Sequence, residues 1–89
     1  MITAVAASVV PAVPLEEPVL ATHREHLIRA SASLWRVVDR REHVTGHLRV
    51  VATPEGTRYR AERYVPRSGG FVEVGSFWSP DDAVAVLRC

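Results

Sequence analysis

Polar and apolar residues alternate through the second half of the chain. His43, Thr45, His47 and Arg49 fall on one side of an extended backbone, and Val44, Gly46, Leu48 and Val50 on the other. A period of two with one apolar side marks a half-buried strand. The same alternation runs from Thr57 to Val65, with Arg58, Arg60, Glu62 and Tyr64 opposed to Tyr59, Ala61, Arg63 and Val65. Two further extended runs flank these strands: Leu34 to Val38, apolar around Arg36, and Phe71 to Trp78. The connections are short and turn-forming: Asp39-Arg40-Arg41-Glu42, Pro54-Glu55-Gly56 and Arg67-Ser68-Gly69-Gly70. Four consecutive strands joined this way predict an antiparallel meander.

After Trp78 the period changes. Ser79 is an N-cap residue, Pro80 suits the first helical position, and Asp81 and Asp82 face the positive end of the helix dipole. Ala83, Val84, Val86 and Leu87 supply the apolar stripe of that helix. One helix on one face of a sheet buries both stripes economically. The expected fold is therefore α+β: a four-stranded antiparallel meander with a C-terminal helix packed on one face. The helix is expected over Val44, Leu48, Val50, Tyr59 and Ala61. Trp35 and Trp78, at the outer ends of the meander, are expected in the core or at its edge, since each buries a large area.

The N-terminal third reads differently. Pro11, Pro14 and Pro18 break any helix or central strand over residues 1–21. That stretch is expected to be a flexible arm, or an apolar segment lying in a groove of the domain. Residues 22–32 predict a short helix or a linker, because Thr22 and Glu25 form a capping-box pattern and Leu27 and Ile28 give an apolar edge. The sheet-plus-helix domain is expected over 33–89.

Charge and composition limit the function. All 11 basic residues are arginine, and the net charge is +1. Arginine is the better partner for phosphate and aromatic faces, although a GC-rich genome produces the same bias. Cys89 is the single cysteine, so no internal disulfide or cysteine metal site is expected, and a reducing cytoplasm is the expected compartment. The proline-broken N-terminal stretch has no basic residue before Arg24 and suits neither a secretory signal nor a membrane helix. No membrane partner is expected.

Catalytic and metal chemistry find no pattern. The serines sit in no nucleophile-elbow context, and no phosphate-binding glycine loop is present. His43 and His47, four residues apart on a strand, lie roughly 13 Å from each other and cannot share an ion. His23 and His26 are spaced for weak chelation on a helix, but no carboxylate or cysteine cluster completes a tetrahedral site. The expected protein is not an enzyme and takes no metal or cofactor.

The remaining candidate is the sheet face opposite the helix. It is expected to carry Arg36, His43, His47, Arg49, Arg58, Arg60 and Tyr64. Guanidinium groups contact phosphate and guanine edges, and aromatic rings stack on bases. Arg36, Arg49, Arg58, Arg60 and Tyr64 are thus candidate nucleic-acid contacts, with DNA favoured over RNA. The same face also reads as ordinary solvated surface in which arginines pair with Glu62 or Glu73. A second function class is a small protein-interaction domain working through a sheet edge or the apolar arm.

Tyr59-Arg60-Ala61-Glu62-Arg63, then Phe77-Trp78-Ser79-Pro80-Asp81-Asp82-Ala83 and Leu87, resemble the small AP2-like DNA-binding modules at the N-termini of tyrosine recombinases. The stand-alone form is similar to short uncharacterised actinobacterial proteins. The resemblance implies that the sheet enters the DNA major groove and that Arg49, Arg58, Arg60 and Tyr64 make the contacts. The chain departs from that pattern in lacking lysine and in placing Glu62 and Glu73 on the implied DNA face.

Overall fold

The computed structural model describes residues 15–88. Five strands and one helix follow in order: β1 (His26–Ser31), β2 (Leu34–Val38), β3 (Val44–Thr53), β4 (Gly56–Val65), β5 (Gly70–Phe77) and α1 (Pro80–Val86). The strands form one antiparallel sheet in the order β1-β2-β3-β4-β5. The α+β class and the meander match the sequence pattern, but the sheet has five strands and not four.

The additional strand replaces the helix expected within 22–32. β1 pairs with β2, setting Leu27 against Val37 and Arg29 against Trp35. Leu27 is buried, and the Arg29 guanidinium lies 4.5 Å from the centre of the Trp35 ring. A short, isolated helix is marginal in water, whereas pairing with β2 ties this segment into the sheet. The capping-box residues serve a distant partner. Glu25 accepts two hydrogen bonds from Arg88, at 2.8 and 2.9 Å, and the Thr22 hydroxyl lies 3.5 Å from the same guanidinium.

The core lies between the sheet and α1. Trp35, Val37, Leu48 and Ala61 face Ala83, Val84 and Leu87, with Leu27 at the margin. Gly46 belongs to the same face. A Cβ there would stand 2.2 Å from the Glu62 carbonyl oxygen and 3.1 Å from the Leu87 side chain. The bare backbone therefore lets Leu87 settle onto the sheet. The helix start follows the sequence pattern: the Asp82 N–H donates to the Ser79 hydroxyl at 3.2 Å, and Pro80 opens the first turn. Asp81 has a second role, accepting a hydrogen bond from the Ala21 N–H at 2.9 Å.

Of the stretch expected to be an arm, residues 1–14 lie outside the described residues. Residues 15–21 touch the domain: the Leu15 N–H donates to the Ala32 carbonyl, and Leu20 packs against the core.

Three strands carry one additional residue each, and two of these bulges decide which side chains share a face. On β3 the register moves from Val37 opposite Gly46 to Val38 opposite Val44, leaving Thr45 unpaired. Val44 is thereby turned away from the helix side where alternation had placed it, and His43 precedes the strand. On β5 the register moves from Ala61 opposite Gly75 to Glu62 opposite Glu73, leaving Val74 unpaired.

Candidate nucleic-acid interface

Directly opposed residues of an antiparallel pair project to the same side of the sheet. The rows of the open face follow from that rule. One row runs Ile28, Arg36, His47, Glu62, Glu73 across the five strands. The next runs Leu34, Arg49, Arg60, Ser76. Arg58 stands opposite Val51, and Tyr64 opposite Phe71. All five residues singled out from the sequence, Arg36, Arg49, Arg58, Arg60 and Tyr64, thus lie on the face away from α1.

Their electrostatic settings differ. Arg49 Nε donates to Glu62 Oε2 at 2.9 Å, and Arg60 Nε lies 3.5 Å from Glu73 Oε1. These four side chains form a quartet of no net charge. Arg58 bonds no carboxylate among the described residues; it donates to the Ser76 carbonyl at 2.7 Å. Arg36 is exposed and forms no ion pair among the described residues. Two arginines of the four therefore keep an uncompensated charge.

Aromatic rings interleave with these charges. The His47 and Phe71 rings stack with centroids 3.7 Å apart and planes 11° from parallel. Tyr64 meets Phe71 at 5.3 Å in a tilted arrangement. The Arg58 guanidinium lies 4.1 Å from the centre of the Trp78 ring. Burial, the largest influence, holds the His47 imidazole below its ordinary value, with Arg36 and Arg49 acting the same way and Glu62 opposing them.

Trp78 departs from expectation. It is 58% exposed, not part of the core. Phe77, one residue earlier, stands opposite Tyr59 and packs against the core cluster, so Trp78 is turned outward. Alternation through the end of β5 held this signal, but the size of the tryptophan ring argued against it. Phe71 is 38% exposed at the other end of the strand. Beside it lies a hollow of about 570 Å³ walled by Val44, Tyr64, Pro66 and Phe71, with Arg36, Glu42 and His43 as its polar groups.

Among the described residues no three His, Cys, Asp or Glu side chains gather as a ligand set, and no helix is long and apolar enough to cross a membrane. No protein-family model matches the chain, and no curated protein or solved structure matches it.

Proposed function

We propose that the chain is a small non-enzymatic nucleic-acid-binding module working through its open sheet face in the cytoplasm. The observation that carries this reading is the sharing of one uncovered face by Arg36, Arg49, Arg58 and Arg60 with the exposed rings of Phe71 and Trp78. Guanidinium groups supply phosphate contacts, and the rings supply sequence-tolerant stacking surfaces. Arg36 and Arg58 are the principal phosphate contacts in this reading. Arg49 is held by Glu62 through Nε and Arg60 lies 3.5 Å from Glu73, so both contribute less.

Titration of labelled DNA and RNA oligonucleotides at low ionic strength tests the proposal. Binding is expected, and replacement of both Arg36 and Arg58 with alanine is expected to weaken it and to flatten its salt dependence. Arg36 is exposed, and exposed charges contribute little to stability.

A second reading rests on a different observation. β5 is an outer strand that exposes Phe71, Val72 and Val74, at 38%, 54% and 37%. An outer strand with apolar side chains can pair with an extended segment of another protein. Absence of any nucleic-acid binding at low salt would promote this protein-interaction reading.

A further inference from the structure

We propose that the open face takes a single strand in preference to a duplex, and that base stacking on Trp78 and Phe71 is the main source of affinity. The inference rests on the nucleic-acid reading above and goes further by naming the class of ligand.

Charge is the first argument. Duplex binding draws its strength from neutralising many phosphates. Here Arg49 and Arg60 are each paired with a carboxylate, which leaves Arg36 and Arg58 as the arginines of this face with no carboxylate partner among the described residues. Two such cations, one of them already bonded to the Ser76 carbonyl, make a poor duplex surface, so affinity has to come from another interaction.

Width is the second. Five strands at about 4.8 Å spacing put roughly 19 Å between the outermost backbones. The major groove is only about 12 Å wide and admits a two-stranded ribbon. Arg49, Arg58 and Arg60 sit on β3 and β4, inside the sheet and flanked on both sides. Entry of this face into the groove, as the recombinase-module resemblance implies, is blocked by its neighbouring strands.

The rings are the third. Trp78 and Phe71 are each backed by a flat partner, Arg58 and His47, at 4.1 and 3.7 Å. Backing fixes the plane of each ring, and exposure of 58% and 38% leaves surface for a base. A duplex keeps its base faces inside its own stack, whereas a single strand offers them. Along β4, Arg58 and Tyr64 mark the two ends of this arrangement, roughly 20 Å apart at the strand rise. That span suits a footprint of about four nucleotides or more. The hollow beside Phe71 can receive an unstacked base, with Arg36 as donor and Glu42 as acceptor for its edge.

The test compares three probes on the unaltered protein: a single-stranded DNA of about a dozen nucleotides, the duplex of the same length, and a single strand of the same length lacking bases. The single strand should bind at least about tenfold tighter than either of the others, as expected when stacking supplies the affinity. Trp78→Ala and Phe71→Ala should each weaken single-strand binding between about fivefold and a hundredfold while leaving its salt dependence unchanged. Equal or tighter binding of the duplex, or equal binding of the base-free strand, overturns the inference and leaves the nucleic-acid reading standing. No binding to any of the three at low salt removes that reading and the inference together.

Discussion

Arg49 and Arg60 stand directly opposite each other on β3 and β4, two like charges in register on the open face. In the adjoining row Glu62 and Glu73 are opposed in the same way on β4 and β5. Like charges directly across a strand pair are unfavourable. The sheet resolves both conflicts diagonally, Arg49 turning to Glu62 and Arg60 to Glu73. His47 Nδ1 also approaches Glu62, at 3.7 Å, so Glu62 is the hub of the face.

Glu62→Gln separates stability from binding. The Glu62 side chain is only 14% exposed, and loss of its charge leaves Arg49 and Arg60 facing each other with one carboxylate fewer. Stability should fall by about 1.5 kcal/mol, the lower end for a hydrogen bond to a charged group, because Arg49 is partly exposed to solvent. Affinity for a single strand should rise, because Arg49 is released to meet phosphate. Thermal melting and an oligonucleotide titration on the same preparation read both effects. A variant that loses stability with no gain in binding would mean that Arg49 takes no part in recognition.

Gly46→Ala tests the seating of the helix. The added methyl carbon would meet the Glu62 carbonyl at 2.2 Å, and a backbone atom in a paired strand cannot step aside cheaply. The cost should be about 3 kcal/mol, the upper end for overpacking. Pairing this change with Leu87→Ala should recover little, since the closest clash is with backbone. Chemical denaturation measures both variants.

Much of this architecture is legible in the residue pattern, for identifiable reasons. β3 and β4 alternate cleanly because one face is buried under α1 and the other is open. Ser79-Pro80-Asp81-Asp82 announces its helix because capping is local chemistry. β1 is hidden because Leu27 is its one buried residue, so no alternation is visible, and because Thr22 and Glu25 bind Arg88, 66 and 63 positions away. The bulges at Thr45 and Val74 are equally silent, since an additional residue in a strand has no compositional mark. The arginines of the open face are readable from period two alone. Their division into paired and unpaired members is not, because it depends on which diagonal neighbour each guanidinium reaches.

The His47 ring gives the fold a pH dependence. Burial lowers its native pKa beneath the ordinary value of 6.5, so the unfolded chain takes up the proton first. Its contribution is complete above that value and is lost as pH falls through it toward the native pKa. The thermal midpoint should decline on moving from about pH 7.5 to about pH 5.5. His47→Gln should flatten the decline, even though the loss of the stack on Phe71 lowers the midpoint at every pH. An unchanged slope in the variant would place the sensitive group elsewhere.

The salt dependence of single-strand binding tests the central claim most directly. Phosphate contact through the two uncompensated cations, Arg36 and Arg58, predicts a log–log slope of about −1.4, at about −0.7 for each phosphate neutralised on a single strand. Arg58→Ala should bring the slope to about −0.7. A titration at the lowest practical ionic strength with no binding at all would contradict the claim and turn attention to the exposed β5 edge.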